Sequence, residues 1–109
     1  MISGIKFEPG DVVLANVQFT DTFEIKRRPV LVLYEEYNNV VVAGITSNLA
    51  MEGIPLTVED GVDRESIIKL NYVFTISQSM IERKLFRLNP KKRHIVYKEI
   101  SKRLEMLIK

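Results

Sequence analysis

The chain has 109 residues, 46% of them hydrophobic, which suits a single domain over residues 1–109 with a modest core and excludes a disordered tail. It holds no cysteine and one histidine, which excludes disulfides, thiolate zinc sites, thiol catalysis and a histidine-rich metal centre. The net charge of +2 is unevenly spread: residues 90–109 carry seven Lys/Arg against two Glu, and the remainder is net acidic, unlike a uniformly basic duplex-DNA binder.

No apolar run approaches the roughly 20 residues that span a bilayer, and the first residues lack the apolar core of a signal peptide. The expectation is a soluble cytoplasmic protein without a membrane partner.

In chain order, Pro9-Gly10-Asp11 signals a turn, and residues 12–17 read as a first strand. Residues 19–26 lack periodicity and read as a long loop, a common place for function on a small scaffold. Pro29 suits the first position of a strand, since it has no N–H for the ladder. Residues 30–34 and 40–45 are two β-branched runs joined by Glu35-Glu36-Tyr37-Asn38-Asn39, a β-hairpin pattern. Both runs are apolar on both faces, which predicts central strands.

Residues 48–53 form a connection, and residues 54–58 a short strand. Residues 59–63 read as an acidic turn around Gly61. Residues 66–70 and 72–76 read as two short strands or one bent strand. Residues 77–84 suggest a helical turn with Met80 and Ile81 inward, and residues 85–88 could close the sheet. Asn89-Pro90 starts a helix, with Asn as cap and Pro in the first turn. Val96, Ile100, Leu104, Leu107 and Ile108 then lie on one stripe predicted to pack on the sheet. The fold class is α+β, mainly β: a small SH3-like barrel of about six or seven strands with a C-terminal helix.

The hairpin brings the ends of its two strands together. Arg28 and Thr46 become neighbours although 18 positions separate them. A guanidinium beside a hydroxyl suits an anionic ligand, because arginine offers phosphate a planar fork of donors. The ordinary roles are a solvated arginine at a strand edge and a hydroxyl that turns the backbone. No Gly-x-Ser-x-Gly and no nearby histidine supports a serine hydrolase. His94, at the basic helix start, reads as a surface side chain. Asp60, Asp63 and Glu65 lack the full calcium-loop pattern and read as a solvated turn.

The residues that align with a known family are Gly10-Asp11-Val12-Val13-Leu14, Phe19-Thr20-Asp21, the run from Lys26-Arg27-Arg28-Pro29 to Leu33, and Ile45-Thr46-Ser47. Further on come the run from Ser66 to Asn71 and Phe74-Thr75-Ile76. In order and spacing, across roughly residues 9 to 108, they resemble the PemK/MazF toxin family. The resemblance implies the toxin of a two-component type II toxin–antitoxin system, on an SH3-like barrel that dimerises and cuts single-stranded RNA (mRNA) without a metal or other cofactor.

It implies Arg28 and Thr46 as the catalytic pair. Lys26, Arg27, Ser47, Lys69 and Asn71 are then expected RNA contacts, and Phe19, Phe23 and Tyr72 expected stacking surfaces. The expected partners are single-stranded RNA, a small acidic antitoxin that is partly disordered, and a second copy of the chain. Three features depart from the family. Asn71 stands where some members have a carboxylate, Phe74 where some have arginine, and Phe23 and Ile25 lie in a loop that many members make glycine-rich. A non-catalytic binder on the same barrel, either an inactive relative or a toxin acting by contact as gyrase poisons do, is the alternative.

Overall fold

A computed structural model describes residues 6–18 and 24–109. Six antiparallel strands curl into a half-barrel: β1 (Asp11–Val17), β2 (Lys26–Glu36), β3 (Asn39–Thr46), β4 (Ile54–Leu56), β5 (Ser66–Ser77) and β6 (Ile81–Arg87). Helix α1 (Pro90–Leu104) follows. The strand order is β4-β5-β3-β2-β1-β6, so the two β-branched runs are central, as their two-sided apolar pattern requires.

Alternation divides the core between the two faces of the sheet. One cluster holds Val13, Ala15, Val17, Val30, Val32, Val40, Val42 and Ile76, with Phe7, Met80 and Ile81 packed on it. The other holds Val12, Leu31, Ala43, Ile45, Ile68 and Leu88, and is covered by Val96 and Ile100 of α1. The helix therefore closes one face only.

Several local expectations are corrected. The second strand begins at Lys26, not Val30, because Val17, Asn16 and Ala15 pair with Lys26, Arg27 and Arg28 and carry the ladder through the basic tripeptide. Pro29 lies inside that strand, opposite Leu14. The hairpin link shrinks to Tyr37-Asn38, whose φ values of 52° and 68° are both left-handed, the geometry that matches strand twist in a two-residue turn. The strand from Ile54 stops at Leu56. Thr57 then caps a 3₁₀ turn (Val58–Asp60), and the Asp60 carboxylate accepts from the Thr57 amide at 2.8 Å.

Residues 66–77 form one strand with a bulge: Gly44 pairs with Lys69 and Ala43 with Val73, so Leu70, Asn71 and Tyr72 swell outward. The expected helical turn over residues 77–84 is confined to Gln78–Met80, and β6 starts at Ile81 because β1 offers a free edge to pair with. The stripe on α1 is only partly covered. Val96 is buried, whereas Leu104, Leu107 and Ile108 are exposed.

At the start of β1 the chain is locked to β6 and α1. Gly10 donates to the Val32 carbonyl and accepts from the Leu88 amide. Its φ of +100° and its contact with the Arg93 side chain leave no room for a Cβ. Asp11 is buried, accepts from the Glu8 amide at 2.9 Å, and faces Lys84 at 3.3 Å and Arg87 at 3.6 Å. No described helix is long and apolar enough to cross a membrane.

Candidate active site

The register determines which predicted residues meet. Arg28 pairs with Ala15, which belongs to the core cluster opposite the helix, and Arg28 also borders the cleft described below. Val30 pairs with Gly44, the last β2–β3 pair of the ladder, two residues short of Arg28 and Thr46. Thr46 has the parity of Val40 and Val42, which lie in the same cluster. Beyond the Val30–Gly44 pair Arg28 is held by Ala15 of β1 and Thr46 by Ile67 of β5, so the two residues share a parity at the ends of adjacent strands. Both are half-buried.

The Thr46 hydroxyl accepts from the Asn48 amide at 3.1 Å, and Asn48 Oδ1 accepts from the Ala50 amide at 3.1 Å. This is the ordinary backbone-turning role of a strand-end threonine, and it has a chemical consequence. The oxygen is fixed as acceptor, while its own proton is still able to donate to an anion.

The basic tripeptide splits by pleat. Lys26 pairs with Val17 and shares the Arg28 face; it is exposed and lies 3.6 Å from Glu24. Arg27 points to the helix side and is bridged to Glu82 at 3.2 Å. Ser47, one residue past Thr46, borders the helix-side cleft with Arg27.

Lys69 shares the strand face of Ile67, the partner of Thr46, but it is buried. Its ammonium donates to the Glu52 carbonyl at 3.2 Å and sits 5.4 Å from the Tyr72 ring centre. Asn71 is exposed on the β5 bulge next to Tyr72. Phe19 and Phe23 lie outside the described residues. His94 is exposed and stacks near Tyr97, with ring centres 6.4 Å apart.

On the helix side, a cleft of about 760 Å³ opens at the same end of the sheet. Its floor is Leu14, Pro29 and Ile45; its walls include Arg27, Arg28, Asp63, Arg64, Arg83 and Phe86. Its charged lining is Arg27, Arg28, Arg64 and Arg83 with Asp63, and Arg27 is bridged to Glu82. Arg64 and Arg83 were not among the residues singled out from sequence. Arg64 sits in a stretch that reads as a solvated acidic turn. Arg83 reaches the cleft only because β6 pairs with β1, opposite Leu14, which is a non-local register.

Fold and site together define a small half-barrel protein whose sheet end carries an arginine-lined cleft bordered by Arg28, with Thr46 at the end of the neighbouring strand. Residues 8–104 match the family model of PemK-like, MazF-like toxins of type II toxin–antitoxin systems, and the chain belongs to that family. No curated protein sequence matches the chain.

Proposed function

We propose that this toxin is an endoribonuclease that cuts single-stranded RNA without a metal, inhibits translation in the cytoplasm, and works as a homodimer held in check by an acidic antitoxin. The observation that supports the reading is that Arg28 lines an arginine-rich cleft at the start of β2, with Thr46 at the end of the adjacent β3. Family membership supplies the toxin role; the chemistry below follows from the side chains.

In such a cleavage the substrate's own 2′-hydroxyl attacks phosphorus and gives its proton to water, and the bond to the 5′-oxygen breaks as that oxygen takes a proton from water. The products are a 2′,3′-cyclic phosphate and a 5′-hydroxyl. Negative charge builds on the non-bridging oxygens as phosphorus becomes five-coordinate. Arg28, permanently charged and forked, offsets that charge. Thr46 donates its proton to a phosphate oxygen and fixes its position, since the Asn48 amide already holds the hydroxyl from the other side. Lys26, on the same face, adds long-range attraction for the polyanion.

The test is incubation of purified protein with a long RNA in excess EDTA. Wild type should cut. Arg28→Ala should cut about a thousandfold more slowly, in line with losing a principal charge-stabilising donor. Arg28→Lys should recover little, because a point charge does not replace a fork. Thr46→Ala should also slow cleavage, by less than Arg28→Ala, because Ser47 lines the same cleft as Arg28. Wild-type rates in Arg28→Ala would overturn the site. Intact RNA with wild-type protein would favour a toxin that acts by contact, the reading suited to Asn71, an amide rather than a carboxylate on the β5 bulge.

A further inference from the structure

We propose that the notch at the hairpin end of the sheet docks a basic, extended peptide segment of a protein partner. One arginine side chain of that segment lies between Tyr34 and Tyr37, with its guanidinium on Glu35. The site stands apart from the RNA reading, since Arg28 and Glu35 are roughly 23 Å from each other along β2.

Shape is the first argument. A notch of about 450 Å³ lies between residues 6–9 and the β2–β3 turn, with Tyr34, Glu35, Tyr37 and Asn38 on the turn side. That volume is within the range of ligand clefts. Two local features bring the tyrosines to it. The β2–β3 register skips Leu33: Val32 pairs with Val42, and Tyr34 with Val41. Without that bulge Tyr34 would oppose Val40, a core residue; with it Tyr34 is exposed. Tyr37 takes a φ of 52° in the two-residue turn and is 92% exposed.

Residue chemistry is the second. Tyrosine rings attract a cation to their faces, and arginine stacks on them through its planar head. Glu35 supplies the counter-charge. Its Oε1 accepts from the Phe7 amide at 3.3 Å, which holds the carboxylate in place while Oε2 can accept from a guanidinium. Glu36, the next residue, is exposed. Glu8 is offset by Arg87 at 3.2 Å, and Lys6 is the one cation of the described lining, so Glu35 and Glu36 set the sign. Asn38 and the two phenols add donors and acceptors for peptide backbone on either side of the arginine, which a free cation would leave unused.

Charge along the strand is the third. β2 begins with Lys26-Arg27-Arg28 and ends with Glu35-Glu36. A polyanion, whether RNA or an acidic antitoxin, is drawn to the first end and repelled by the second, so the notch takes a partner of the opposite sign. Its frame is already ordered. The Asn38 carbonyl accepts from the Gln78 amide at 3.0 Å, the Gly10 amide donates to the Val32 carbonyl at 2.9 Å, and Phe7 packs in the core. Docking therefore costs little ordering of the protein itself.

The experiment is calorimetric titration with a short peptide that carries a single central arginine, with its citrulline analogue, and with methylguanidinium alone. Wild type should bind the arginine peptide about tenfold more tightly than the citrulline peptide, which keeps the shape and loses the charge. Tyr37→Asn removes the ring and still suits a left-handed φ; it should weaken the arginine peptide about fivefold. Tyr37→Phe keeps the ring and should stay within about twofold. Glu35→Gln should cost about fivefold and flatten the salt dependence. Peptide binding is read without RNA, so failure of the RNA reading leaves this test intact.

Equal affinity for the arginine and citrulline peptides would overturn the cation site. Tyr37→Asn and Glu35→Gln both within about twofold of wild type would place the peptide elsewhere and overturn it too. Methylguanidinium bound as tightly as the peptide would make the notch a small-cation site. Loss of the homodimer in Tyr37→Asn would give the notch to a second copy of the chain. Either result overturns the partner named here.

Discussion

The first half of α1 is held by five different kinds of contact. Asn89 caps it, with Oδ1 accepting from the Lys92 amide at 2.8 Å; Pro90 takes the first turn; Lys92 reaches Asp60; Arg93 donates to the Leu88 carbonyl at 3.0 Å; and Val96 is buried in the helix-side core. The end of the chain continues the same apolar stripe with none of these. Leu104 is 56% exposed, Leu107 80% and Ile108 84%, with Met106 beside them at 69%. The comparison teaches that capping and cross-contacts, and not the apolar stripe alone, decide which part of the helix the sheet covers. The last turn tightens into a 3₁₀ segment (Glu105–Ile108) past the point where the helix touches the sheet.

The largest blow to the docked half comes from Gly10. Gly10→Ala places a Cβ on the Arg93 side chain and asks alanine to hold a φ of +100°. Left-handed strain and displacement of Arg93 together should cost about 3 kcal/mol, read as a lower urea midpoint with an unchanged slope. A smaller loss follows from Val96→Ala. Removing two buried methyl groups, with partial collapse around them, should cost about 2 kcal/mol. Equal stability in either variant would mean that α1 is not anchored through its first half.

Much of this was readable in the sequence, for local reasons. The β-branched runs, the Asn-Pro cap and the 3.6-residue period act within a few residues, and the central strands and helix start fall where they predict. The expected nearness of Arg28 and Thr46 depends on a single hairpin, whose ladder runs from Glu36–Asn39 to Val30–Gly44. What could not be read depends on distant pairing. Arg83 enters the cleft through the β1–β6 register, and Asp11 becomes a buried anchor because Lys84 and Arg87 arrive beside it from β6. Lys69 is expected to contact RNA, yet it is buried and its ammonium donates to the Glu52 carbonyl. Tyr37, with its positive φ, sits in a tight turn that its sequence does not announce, since the usual residues there are Asn and Gly.

The exposed end of the stripe supplies the last prediction, the smallest in monomer stability and the one that sharpens the comparison most. Leu107→Ser/Ile108→Ser exchanges two side chains that make little contact with their own domain, so unfolding of the monomer should change by no more than about 0.5 kcal/mol. If these side chains are buried in the proposed homodimer, the same exchange acts on assembly instead. Two leucine-sized side chains per protomer, counted twice by symmetry, remove about 6 kcal/mol or more of apolar burial from an isologous interface. Light scattering at micromolar concentration should then show a dimer for wild type and a monomer for the variant, with matching denaturation curves once both are diluted below the dissociation constant. A variant that stays dimeric would place the interface elsewhere. A variant that loses monomer stability as heavily as Val96→Ala would show that the end of the stripe packs on its own sheet after all, and the contrast between the two halves of the helix would disappear.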